Sequence, residues 1–219
     1  VNDSVGQIPF AVTFCPLCNS GVVFDRRLDG KTYSFGVSGL LRNSDMIMFD
    51  RETESWWQQF TGEAIVGDLI GKSLIKIPGW MESWDTFKTR NPDGLVQAEP
   101  KARRNYGQNP YAGYDTGRPF LYNGENPPFG INPLARVIVI ENQAWPLERI
   151  KNAGSVTENG YTISWVSGTA SALDKRNIAS GRDVGAIRVR DGSGNDVVHD
   201  VAFAFAFHAF HPTGEWMLN

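Results

Sequence analysis

The feature that most constrains this chain is a hydrophobic period of two, kept over short runs and then cut by turn residues. Such alternation puts successive side chains on opposite faces, so it selects half-buried β-strands over amphipathic helices. Residues 9–14, 21–26 and 32–37 are runs of this kind, rich in Val, Phe, Tyr and Thr, and Asp29-Gly30 between the last two is a turn signal. Together they predict a hairpin over 21–37. Residues 45–49, 64–69 and 73–77 read as further strands, the last two joined tightly through Ile70-Gly71-Lys72. The expected fold is mainly β with a minor helical part: antiparallel sheets of short strands in two weakly repeated halves, with one or two short helices.

The convincing helix is 81–90, where Trp84 and Phe87 continue the apolar spacing of Trp80 and Asn91-Pro92-Asp93-Gly94 stops the chain. It is expected to cover a sheet face or edge. Residues 101–133 turn to Gly, Pro, Asn and Tyr without a sustained period. Their aromatic residues Tyr106, Tyr111, Tyr114, Phe120 and Tyr122 predict a loop packed on the body rather than a free linker. Strands resume at 136–141, 161–165, 186–190 and 197–207, with a turn or short helix at 145–151. The expected organisation is an N-terminal β-rich half over 1–100, a connection over 101–135 and a C-terminal β-rich half over 136–219, packed as one unit.

A weak repeat links the halves. Thr13 with Thr162, Ser20 with Thr169 and Asp25 with Asp174 share an offset of 149. In that register Cys15 and Cys18 face Ser164 and Ser167, so the later copy keeps a strand and turn without the thiols. The later copy also has a preceding strand and Trp-Pro-Leu turn over 137–147, which implies that residues upstream of Val1 once supplied the equivalent.

Composition removes several functions. The 21 Lys and Arg against 24 Asp and Glu give a net charge of -3, so no broad basic surface exists for phosphate backbones and nucleic acid is not an expected partner. The longest uncharged apolar run, 201–210, is half of the roughly 20 residues a helix needs to cross a bilayer, and no transmembrane span is expected. A start on Val1 rather than Met fits a processed signal or a truncated chain. Gly-x-Ser-x-Gly, phosphate-loop and His-Glu-x-x-His patterns are absent, so no nucleotide cofactor is expected.

The sharpest local motif is Cys15-Pro16-Leu17-Cys18. Two thiolates at this spacing on a turn grip one metal ion, close a small disulfide or carry dithiol redox chemistry, and all three readings stand. A closed zinc ribbon needs a second Cys pair, which the chain lacks. A thioredoxin-like pair sits at a helix start, whereas Asn19-Ser20-Gly21-Val22-Val23-Phe24 reads as turn then strand. Imidazole ligands are available from His199, His208 and His211, and thioethers from Met46 and Met48; sulfur with imidazole suits copper or zinc. Read as a strand, 201–210 places His208 with the Ala face and returns His211 to the Phe face, so both meet one ion only if the chain bends near Phe210. A second polar cluster joins Asn43, Ser44 and Asp45 to Arg51, Glu54, Trp57 and Gln58, a mixture able to line a pocket with Asp45 or Glu54 as acid-base groups and Trp57 as its wall. The same residues also serve turns and strand ends. Trp at 56, 57, 80, 84, 145, 165 and 216 would supply a glycan-stacking surface, although packing is the commoner use of Trp.

These segments resemble prokaryotic proteins of domain-of-unknown-function family 3179. The resemblance is carried by residues 12–21 around the Cys turn, by Phe35-Gly36-Val37-Ser38-Gly39, by Asn43-Ser44-Asp45 with 50–55, and by 61–67. Tyr106-Gly107 with Pro110-Tyr111, Gly181-Arg182-Asp183-Val184-Gly185 and Ala209-Phe210-His211-Pro212 extend it over nearly the whole chain. It brings no established activity. It implies an extracytoplasmic home, periplasmic, secreted or lipid-anchored, where a Cys15–Cys18 disulfide is feasible. Such proteins carry a strand, an aromatic-Pro-Leu turn and a His-Glu pair before the segment matching Val1-Asn2-Asp3, and the resemblance favours His211 over His208.

The leading expectation is an extracytoplasmic protein that binds a soft transition metal, copper or zinc, through Cys15 and Cys18 with His211 or His208. The alternatives are a non-catalytic module for a glycan, a protein partner or a second copy, with a structural disulfide, and a dithiol enzyme.

Overall fold

The computed structural model describes residues 1–98 and 109–219, so Asn105, Tyr106 and the first part of the expected 101–135 connection lie outside the described residues. The chain is mostly β, 38% strand against 13% helix, as the short alternating runs require. The first sheet is a meander of β1 (Asn2–Val5), β2 (Ile8–Cys15) and β3 (Ser20–Asp25). A two-stranded ribbon follows, β4 (Arg27–Leu28) and β5 (Lys31–Thr32), turning on Asp29 and Gly30, both at positive φ. The second sheet runs through β6 (Phe35–Arg42), β7 (Asp45–Asp50), β8 (Trp56–Gln58) and β9 (Ala64–Val66), after which β10 (Lys76–Ile77) returns to pair with β3. The hairpin expected over 21–37 is therefore confined to the β4–β5 ribbon. Both edges of β3 are already taken, by β2 and β10, and β6 pairs with β7.

Helix α1 (Trp84–Arg90) starts at Ser83, whose hydroxyl accepts the Thr86 N–H, and ends at Asn91. It buries none of its residues, so it is not the sheet cover that its aromatic spacing suggests. In the second half β11 (Arg136–Ile140) and β12 (Gln143–Pro146) lead into α2 (Leu147–Ala153), followed by a second meander, β13 (Ser155–Glu158), β14 (Tyr161–Val166) and β15 (Ala186–Asp191). Then β16 (Asp200–Phe203) pairs with β11, α3 (Ala204–Phe210) follows directly, and β17 (Glu215–Trp216) runs parallel to β12. The four larger sheets form a ring in a repeated arrangement.

The strand expected over 197–207 is strand only over Asp200–Phe203 and is helix from Ala204 on. Ala204 and Phe205 give their N–H groups to Ala135 and Pro133 carbonyls at 2.8 and 3.0 Å, which ends the ladder after Phe203. Ala204, Phe205, Ala206 and Phe207 are all fully buried, and a segment apolar on every side carries no period that separates strand from helix.

Three apolar clusters fill the molecule. One gathers Cys15, Cys18 and Phe60 from the first half with Val137, Phe203, Phe205 and Phe207 from the second. Another lies under Phe24, Phe35, Met48 and Trp57, and the third joins Ile150 of α2 to Ile138, Ile163 and Val189. Among the described residues no helix is long and apolar enough to cross a membrane.

Candidate functional site: a buried Cys-Cys-Asp group

Cys15 closes β2 and pairs with Ser20 at the start of β3, so residues 16–19 form a tight loop. Asn19 takes a positive φ of 52°, a position where Asn is tolerated better than most residues, and its N–H reaches the Pro16 carbonyl at 3.3 Å. The loop is pinned from the connection and from the second half. Phe203 N–H donates to the Cys18 carbonyl at 2.8 Å, the Tyr114 hydroxyl to the Leu17 carbonyl at 3.0 Å, and Asn19 Nδ2 to the Val201 carbonyl at 3.2 Å.

A second turn meets it. Arg42 and Asp45 pair across the β6–β7 hairpin, leaving Asn43 and Ser44 at φ 51° and 61°, the double positive φ of a type I′ turn. Gly is the usual occupant of the second position, and Ser44 holds it with its hydroxyl on the Phe120 carbonyl. The turn aims the Ser44 carbonyl at the thiols, 3.4 Å from Cys18 Sγ and 4.0 Å from Cys15 Sγ. Asp45, fully buried, follows at once.

Asp45 Oδ2 accepts Gln58 Nε2 at 2.5 Å and the Phe60 N–H at 2.9 Å. Its other oxygen, Oδ1, is buried and has no hydrogen-bond partner. One donor atom from each of Cys15, Cys18 and Asp45 lies within 4.8 Å of the other two, close enough to hold a metal ion. The sulfurs are 3.8 Å apart and both thiols are free, well beyond the roughly 2.05 Å of a disulfide. The structure thus does not contain the turn disulfide that was one reading of the motif.

Burial sets the protonation of the group. It pushes the Cys18 thiol well above its ordinary range, reinforced by its contact with Cys15 and by the neighbouring Asp45. Burial also raises Asp45, against the opposing hydrogen bonds of Gln58 and Phe60. An uncompensated charge here is costly, so burial favours the protonated forms of Cys18 and Asp45 and a bound cation would favour their charged forms.

The sequence-read candidates divide accordingly. Cys15, Cys18, Ser44, Asp45 and Gln58 come together, and Asn43 shapes the turn that delivers Asp45. Trp57 is buried in the second cluster with Nε1 on Asp50 Oδ2 at 2.9 Å, and exposed Arg51 donates to the Phe35 carbonyl at 2.6 Å. His211 caps α3, with Nδ1 3.2 Å from Asn142 Oδ1 and its ring stacked on Phe207; half-buried His208 lies in the last turn of α3. Neither imidazole belongs to the three-membered group. His199 holds the Val197 carbonyl at 2.9 Å, Met48 sits in the second cluster, and Met46 packs between the first and second. The contribution of the Ser44 carbonyl carried no sequence signal, because any residue there supplies the same oxygen.

No curated protein and no solved structure matches this chain. A family profile, described as "Protein of unknown function (DUF3179)", covers residues 1–214, taking in the Cys turn, the Asp45 hairpin and α3. The segments that build the buried group are thus parts of one continuous match, and the chain belongs to family DUF3179.

Proposed function

We propose that this protein holds one thiophilic metal ion, zinc ahead of copper, between Cys15, Cys18 and Asp45. The observation that carries the reading is the unpartnered Asp45 Oδ1 buried beside two free thiols. Two sulfurs bound to one tetrahedral zinc at about 2.3 Å stand about 3.8 Å apart, and the Sγ atoms are 3.8 Å apart. A sulfur and an oxygen ligand on the same ion stand about 3.6 Å apart, and the Ser44 carbonyl lies 3.4 and 4.0 Å from the two sulfurs. Ser44 O is therefore the fourth donor. A mixed sulfur and oxygen set favours borderline zinc over copper(I), which prefers sulfur throughout. The ion neutralises charges that burial otherwise forbids, and its role is to lock the Cys turn between β2 and β3 to the β6–β7 hairpin within the first half.

We place the protein outside the cytoplasm on its family resemblance, a setting in which a bound ion would protect the thiol pair from oxidation. The dithiol-enzyme reading fits less well, because burial raises the Cys18 thiol where that chemistry needs it lowered.

The test is metal content by mass spectrometry with a thiol count on the same preparation. Close to one zinc per chain is expected, falling to background in the Cys15→Ser/Cys18→Ser protein. Free thiols with no ion after zinc is supplied to the reduced protein would overturn the proposal.

A further inference from the structure

A cleft of about 650 Å³ opens beside the Cys turn, reached by Asn19 but separate from the sulfurs. Its walls are largely apolar, with Val184, Ile187 and Val201 inside and the exposed side chains of Met81 and Trp84 at the rim. Size and lining are those of a small-molecule site, which takes most of its affinity from apolar contact and its orientation from a few polar groups.

Two polar side chains in the lining are underused. Arg136 is only 9% exposed and gives Nη2 to Asp115 and Ser171, while Nε and Nη1 have no hydrogen-bond partner among the described residues. The Thr169 hydroxyl is buried and has no partner. Buried donors are normally satisfied, so groups left open on a cleft wall mark where a ligand acceptor would sit.

Charge narrows the ligand. Asp115 is shared by Arg136 and Arg182, at 3.1 and 2.5 Å, and Asp174 lies 3.9 Å from both Arg182 and Lys175. Asp183, a third carboxylate beside the cleft, is taken up by the Gly168, Thr169 and Gly185 N–H groups, so the Arg136 guanidinium is the charged donor that the wall presents. At the rim Glu82 is paired with Arg90 and Asp85 with Lys88. We propose that this cleft binds a small organic monocarboxylate with a flat apolar body, its carboxylate on the Arg136 guanidinium and its body between Trp84 and the Val184–Val201 wall.

The test is calorimetric titration of the full chain with phenylacetate and indole-3-acetate, with phenylacetamide as the uncharged control. Both carboxylates bind, and the amide binds at least about tenfold more weakly, because a charge-assisted bond to guanidinium is lost. Ala179→Trp, at an exposed rim position that folding tolerates, removes binding, and Thr169→Val weakens it about fivefold. No heat with either carboxylate up to millimolar concentration, equal affinity for the amide, or binding that survives Ala179→Trp in a protein with native circular dichroism would overturn the proposal.

Discussion

The two three-stranded meanders, β1-β2-β3 and β13-β14-β15, share strand order and antiparallel sense yet differ in what joins their second and third strands. In the first, residues 16–19 make a short loop that brings two thiols into the interior. In the second, the offset that aligns β14 with β2 puts the β3 counterpart at 169–174, but that stretch holds an isolated bridge at Ala170 and a turn, and β15 supplies the third strand after a long connection over 167–185. The connection is organised by carboxylates. Asp183 accepts the Gly168, Thr169 and Gly185 N–H groups, and Asp115 takes Ser171 and two arginines. The meander is common to both halves, and the connection between its second and third strands is where they differ: two buried thiols in the first, a carboxylate-held loop in the second.

The faces of the meanders differ too. Ile163 of β14 is fully buried in the cluster that contains Ile150 of α2, whereas Phe14, its counterpart at the offset of 149, is 39% exposed.

The hardest way to break this comparison is at Asp115. Replacement by Asn leaves Arg136 buried without its countercharge and should cost about 3 to 5 kcal/mol in urea unfolding at neutral pH; a cost under about 0.5 kcal/mol would show that the long connection does not organise its half. The same pair predicts an acid limb. Burial alone would raise Asp115, but the Ser171 hydroxyl and the two guanidinium groups hold it below the carboxylate range. Its stabilisation is complete above the unfolded value of about 3.9, shrinks as pH falls through the lowered folded value and is gone beneath it, so wild type and Asp115→Asn should converge in acid.

Next in size, the equivalent pair Ile163 and Phe14 separates covered from open faces. Ile163→Ala should cost about 3 kcal/mol and Phe14→Ala less than about 1 kcal/mol, despite the larger side chain removed. Equal costs by thermal or urea unfolding would mean that the faces are equally covered. The smallest effect belongs to Ser44→Gly in metal-free protein. Relief of the positive φ, about 1 kcal/mol, offsets loss of the bond to Phe120, also about 1 kcal/mol, so the midpoint should barely move; a large drop would show that the Phe120 segment is held chiefly through Ser44.

Much of the scaffold is legible in the sequence because it is local. β2, β3, β7, β11, β14 and β15 fall on alternating runs, and Asp29-Gly30 turns as its residue types require. The failures are non-local. Residues 204–207 alternate Ala and Phe and still open a helix, because all four are buried and loop carbonyls capture the first N–H groups. Both halves of the candidate site are visible separately, the thiol pair as a spaced motif and Asp45 within a polar cluster, but nothing local joins them.

The sequence by itself determined the strands, the tight turns and which residue types carry chemistry, since side-chain period and backbone preference act within a few residues. Only the tertiary structure decided that Asp45 and the Ser44 carbonyl meet the two thiols, and that His208 and His211 stand outside the three-membered group. That choice rests on the Asn43–Ser44 turn and on hydrogen bonds that the Cys loop accepts from Tyr114 and Phe203 and gives to the Val201 carbonyl, contacts made between residues far apart in the chain. Such contacts form only once burial of apolar surface has brought the two halves together.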